Sequence, residues 1–175
     1  MRIREFQHGT FTVLIVTPFD VSTWTINLPF EMAIKQEREF LAGTRGILQA
    51  HGGKLVDIFG PPVIAIWPSP QKTPDRRALE SALAIESKDR EGRSGAPLPE
   101  SGRRELSMGA CCGPLIFQEH DQTIINVLGP AFTRAQSLHD LARKRGAALA
   151  VDAALAELGG PATFERVEDD AWCKA

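Results

Sequence analysis

The chain has 175 residues, of which 43% are hydrophobic and 24% charged, and its formal net charge is −2. That is enough for one domain with a sizeable core, and it leaves no electrostatic footprint for nucleic acid or an anionic membrane surface. No apolar run approaches the roughly 20 residues needed to cross a bilayer, and the first residues lack the apolar stretch of a signal peptide, so a cytoplasmic location is expected. Three cysteines, Cys111, Cys112 and Cys173, two of them adjacent, argue against a disulfide framework and match no zinc spacing.

In chain order, residues 11–17 form a β-branched apolar run that reads as a buried strand, ended by Pro18. Residues 20–28 are polar and turn-rich. A helix is expected from about Pro29, with Asn27 as a nearby cap and an apolar stripe of Phe30, Ala33, Ile34, Phe40, Leu41, Ile47 and Leu48. Gly43 is a candidate break in it, and Gly52 and Gly53 end it, with His51 at its last turn. Residues 54–68 then read as two apolar strands around a tight turn at Gly60 and Pro61.

A second helix opens at Pro74 and Asp75, with Ala78, Leu79, Ala82, Leu83 and Ile85 inward. Residues from about 87 to 104 are polar and rich in Gly, Pro, Arg and Glu, and are expected as an exposed, mobile loop within a single domain spanning 1–175. A long strand with a glycine bulge follows over 106–117, which sends Cys111 and Cys112 to opposite faces. A turn at His120 and Asp121 leads to a strand over 123–128. Gly129 and Pro130 start a third helix carrying Phe132, Ala135, Leu138 and Leu141; its N-terminus is also the kind of place that holds an anion. A short strand at 147–151, a small helix capped by Asp152 and a last strand at 164–167 complete the pattern. Hairpins interrupt the alternation of strands and helices, which favours an α+β fold with a mostly antiparallel sheet and helices mainly on one face.

Three segments in this order carry a family resemblance: 51–68, the strand at 108–113, and 127–138. Together they resemble the catalytic domain of class III adenylate and guanylate cyclases over most of the chain, from about Phe11 to about Leu158. The resemblance implies a ferredoxin-like cyclase fold. It also implies a site in which two aspartates hold two divalent cations on a nucleoside triphosphate, because Mg²⁺ prefers hard anionic oxygens. Asp20, in the stretch 19–25, matches the first aspartate; a rival register puts Thr17 there, and a turn-capping role is the plain alternative for Asp20. The second aspartate is replaced by Pro61. The purine-reading lysine is matched by Asp57, the second base-reading position by Asn126, the ribose-positioning asparagine by Thr133 and the transition-state arginine by Ser137. Arg134 is the nearest other source of positive charge on that helix.

Losing one group that stabilises transferring phosphoryl charge lowers the rate by roughly 10²–10³. With the lysine, the arginine and one metal carboxylate replaced, the resemblance implies a degenerate cyclase domain that folds and dimerises, with itself or with another cyclase-like domain, and acts as a regulatory module. On this reading no cofactor is expected; Mg²⁺ or Mn²⁺ matters only if cyclase activity persists. The rivals are a weak or heterodimeric cyclase acting on ATP or GTP, a sensor that binds a purine nucleotide through Asp57 and Asn126, and a plain interaction module. The sequence leaves open whether the chain is a whole protein or a piece of a larger signalling one.

Overall fold

The computed structural model describes residues 6–18, 29–58, 60–92, 106–121, 123–160 and 162–174. Asp20 and the stretch around it, Asn27, and most of the expected loop at 87–104 lie outside the described residues. The elements are β1 (Gln7–Thr17), α1 (Phe30–Ala50), β2 (Lys54–Leu55), β3 (Val63–Pro68), α2 (Arg76–Gly92), β4 (Ser107–His120), β5 (Thr123–Leu128), α3 (Pro130–Arg145), β6 (Leu149–Val151), α4 (Ala153–Gly159), β7 (Phe164–Glu168) and β8 (Ala171–Lys174).

One sheet runs β2-β3-β1-β4-β6-β8-β7, with β5 paired to the far end of β4. β4 and β6 are parallel and the other strand pairs antiparallel. β1 sits in the middle, and both its faces are buried. Leu14 and Val16 point into a core made with α1, α2 and α4, while Val13 and Ile15 point into a second core made with α3 and β5. A strand covered on both sides has no polar face to show, which is why its sequence is a continuous apolar run. Three of the four described helices thus share one face of the sheet. Among the described helices only α3 lies on the other, where the small residues Ala131, Ala135 and Ala142 let it approach closely.

Several expectations change in detail. α1 is unbroken from Phe30 to Ala50, so Gly43 is an interior residue; within the stripe, Ala33 and Leu48 are buried, whereas Phe30 is 71% exposed. α2 continues to Gly92, so residues 87–92 are helix rather than loop. β4 pairs with β1 in unbroken register through Gly109 and Gly113, and the irregularity falls at Gln118 and Glu119 instead. The reason for Gly109 is space. A β-carbon there would stand 2.2 Å from the carbonyl oxygen of Ala135 and 2.3 Å from the backbone nitrogen of His139. β8, which pairs with both β6 and β7, has no counterpart in the sequence reading.

The expected hairpin is tied at one end and split at the other. Gly53 leaves room for the Trp67 indole, whose Nε1 donates to the carbonyl of His51 at 3.0 Å, so the end of α1 is pinned onto β3. Lys54 and Leu55 pair with β3, and the amide of Val56 donates to Ile64. Val56 also forms a parallel bridge with Ile124 of β5, and Asp57 continues that contact. A Gly60 φ of +82° then turns the chain into β3.

Candidate functional site

The bridge from Val56 to Ile124 is what builds the candidate nucleotide face. The Asp57 amide donates to the Ile124 carbonyl at 2.7 Å, which sets Asp57 beside β5. Asn126 lies two residues further along the same strand, opposite Gln118. Both side chains are exposed. β5 runs through Gly129 directly into α3, whose exposed strip carries Thr133 and Ser137 one turn apart. The sequence reading therefore named four residues on two consecutive elements and the segment joined to them.

The hydroxyls on α3 are occupied by their own helix. Thr133 Oγ1 donates to the Gly129 carbonyl at 3.3 Å, and Ser137 Oγ donates to the Thr133 carbonyl at 3.1 Å. Neither carries charge. The Arg134 guanidinium is engaged at the turn between β7 and β8: its Nη2 donates to the Asp170 carbonyl and lies 3.5 Å from Asp170 Oδ2. Its Nε is buried without a hydrogen-bond partner among the described residues.

Pro61 sits half-buried in the turn before β3. Pairing of Val16 with Val63 brings its turn close to the end of β1, from which the segment containing Asp20 departs. The described residues do not make up a two-metal site. Pro61 has no side-chain oxygen, and no group of three or more His, Cys, Asp or Glu side chains suited to a metal occurs among them. Thr17, the rival register for the first aspartate, ends β1 opposite Ser107.

The remaining candidates are structural. His51 caps α1, its Nδ1 2.9 Å from the Ile47 carbonyl, and His120 precedes a turn at Asp121 with φ +47°. Cys111 is buried and Cys112 half-buried on opposite faces of β4, as the alternation requires. Burial raises all three thiol pKa values, and Asp152 reinforces the effect at Cys111, so none is poised as a thiolate. Asp152 caps α4 by accepting from Leu155 and also accepts from the Cys112 amide at 2.8 Å. The anion reading of the α3 N-terminus gains no ligand-facing side chain: the Thr133 hydroxyl there is turned to Gly129.

One cluster escaped the sequence reading. Ser107 Oγ lies 2.9 Å from His139 Nε2, and His139 Nδ1 lies 3.2 Å from Asp140 Oδ1. The order of groups is that of a nucleophilic triad, but Ser107 is 6% exposed within the β1–β4 ladder, which closes it to a substrate. The signal was available in the spacing. His139 falls on the buried strip of Ala135, Leu138 and Ala142, so a polar ring was bound to meet the sheet.

Comparison with solved structures identifies the fold. The chain superposes on a bacterial light-regulated adenylyl cyclase with TM-score 0.78 at 20% identity, covering 98% of this chain and 53% of that one, about half its length. A second structure so described gives TM-score 0.77 at 20% identity, with 96% and 91% covered. The monomeric guanylyl cyclase domain of the RhoGC fusion protein from the fungus Blastocladiella emersonii gives TM-score 0.73 at 12% identity, with 98% of each chain covered. No family model matches the sequence, and no curated protein does. The chain therefore has the fold of the class III nucleotidyl cyclase catalytic domains. No described helix is long and apolar enough to cross a membrane.

Proposed function

We propose that this domain is a non-catalytic relative of the nucleotidyl cyclases that associates with a second cyclase-like domain, or with a copy of itself, and regulates signalling from the cytoplasm. The observation that carries the reading is the exposed strip of α3. Where the resemblance calls for an amide and a guanidinium, the strip holds two neutral hydroxyls bonded to their own helix. Pro61 and Asp57 add the loss of a metal carboxylate and the reversal of a charge. Each loss lowers the rate by orders of magnitude if it acts on the transition state. In this reading the domain needs no Mg²⁺ or Mn²⁺. Association is supported by the apolar side chains left open on the β4–β5 hairpin, where Ile116, Ile125 and Leu128 are about half exposed.

The direct assay is incubation of the purified chain with ATP or GTP and Mn²⁺. No cyclic nucleotide above background is expected. Product that disappears in Asp20→Ala would overturn the reading in favour of a weak cyclase, and product seen only with a partner domain present would favour a heterodimeric one. Light scattering on the isolated domain addresses association; a strict monomer at all concentrations argues against self-pairing.

A second reading rests on a separate observation: Asp57, whose amide donates to Ile124 of β5, and Asn126 of the same strand are both exposed. An exposed carboxylate and an exposed amide near one strand suit the polar edge of a purine, so this region suits a nucleotide sensor without turnover. Ligand at 100 times its dissociation constant stabilises a protein by about 2.7 kcal/mol, a readily measured thermal shift. A screen in which no purine nucleotide moves the melting temperature removes this reading.

A further inference from the structure

The seam between α3 and β4 holds an imidazole in a place where charge is costly. His139 is 9% exposed. The helix backbone at His139 lies so close to Gly109 that not even a methyl group fits between them, so the helix has no slack at this point. The ring spans the seam: Nε2 is 2.9 Å from Ser107 Oγ on β4, and Nδ1 is 3.2 Å from Asp140 Oδ1 on α3. A neutral imidazole meets both partners in one tautomer, with Nδ1–H donating to Asp140 and Nε2 accepting from the Ser107 hydroxyl.

We propose that the Ser107–His139 contact is an acid-sensitive latch: the neutral ring seats α3 on the central sheet, and protonating the ring loosens the α3–β4 seam.

Protonation turns both ring nitrogens into donors. The Ser107 hydroxyl must then reverse to accept, and a positive charge is left in a site largely removed from water. Among the described residues, the charged groups acting on the ring are both on α3: Asp140, which favours the cation, and Arg143, which opposes it. β4 presents Ser107 and Gly109, the neighbouring strand β1 presents Thr17 opposite Ser107, and the approach to β6 presents Ala147 and Ala148; none of these titrates. Burial outweighs Asp140 and lowers the His139 pKa below the ordinary histidine value. A folded-state pKa below the unfolded one means that the unfolded chain binds protons first as pH falls. The contribution to stability is complete above about pH 6.5 and is lost as the pH drops from there through the folded-state value. α3 also carries Thr133 and Ser137, so opening the seam alters the same helix that forms the candidate site. The latch stands on the seam alone and holds whether or not the domain binds nucleotide.

The test is an NMR titration of the four histidines in the full chain, read beside melting temperature and α3 amide exchange corrected for its intrinsic pH dependence. His139 is identified by its absence in His139→Gln. The expected midpoint lies below about 6.5. α3 exchange is expected to quicken as His139 protonates, and melting to fall by about 2–5 °C across the transition, a fall that flattens in His139→Gln. Asp140→Asn, a surface change, removes the one favourable charge and is expected to move the midpoint further down. A midpoint at or above the ordinary value, α3 exchange indifferent to the titration, or an equal acid loss in His139→Gln would each overturn the latch. If His139→Gln does not fold, Asp140→Asn decides: a histidine midpoint that fails to move down in it overturns the proposal.

Discussion

On its inward side α3 presents Ala131, Ala135, Leu138, His139 and Ala142 to the sheet, while its outward side carries Thr133 and Ser137. The inward residues answer to space. Gly109 beneath them admits no β-carbon, and Leu138 is fully buried. The outward residues answer only to their own helix, whose carbonyls take up both hydroxyls. A side chain that nothing packs against can be exchanged at little cost to stability. The fold can therefore persist while the groups that chemistry needs are replaced, and a fold-level likeness to cyclases carries no information about turnover.

The contrast can be broken hardest at Gly109. Gly109→Ala forces α3 off the strand, and the expected destabilisation exceeds about 4 kcal/mol, enough to leave little folded protein by circular dichroism or urea unfolding. Leu138→Ala, on the same seam but without a clash, is expected to cost about 2–5 kcal/mol in urea. A third test lies away from α3, where Lys174 Nζ meets the buried carboxylate of Glu86 at 2.5 Å, with Arg90 as the second partner. Lys174→Met removes one partner and ties β8 less firmly to α2, for an expected loss of about 1–3 kcal/mol. Trp67→Phe deletes the donor that holds the His51 carbonyl and is expected to cost about 1 kcal/mol. At the far end, Ser137→Arg and Thr133→Asn on the outward face should each stay within about 0.5 kcal/mol of the parent. A large loss from either outward change would mean that this side is packed against something and would erase the contrast.

Much of the candidate site was legible because it is local in sequence. Asn126, Thr133 and Ser137 belong to one strand–glycine–helix run, and the Gly60–Pro61 turn is marked by its residues. The place of Asp57 beside β5 was hidden: it depends on Val56, at the end of the β2–β3 pairing, also bridging Ile124, a long-range contact that no local pattern encodes. The close approach at Gly109 was not foreseen: glycines in this strand suggested a bulge, and a strand glycine looks the same whether the backbone bends or a helix presses on it. Phe30 fitted the apolar stripe of α1 yet lies open, since periodicity gives a direction but not the presence of a partner. Arg134 was the cation nearest Ser137 on α3, and only the β7–β8 turn, with its unforeseen last strand, revealed where that guanidinium goes.

By itself, the sequence determined the order of most strands and helices, the α+β class, the buried central strand and the identities of the residues at Asp57, Pro61, Thr133 and Ser137. These follow from hydrophobic period, turn chemistry and residue identity, which act over a few positions at a time. Only the tertiary structure decided that α3 packs on the face of the sheet opposite the other described helices, that Gly109 exists to admit it, and that Ser107 and His139, 32 residues apart, meet across the seam. Those outcomes depend on which surfaces come to share a volume, and close packing fixes them only once the whole chain has folded.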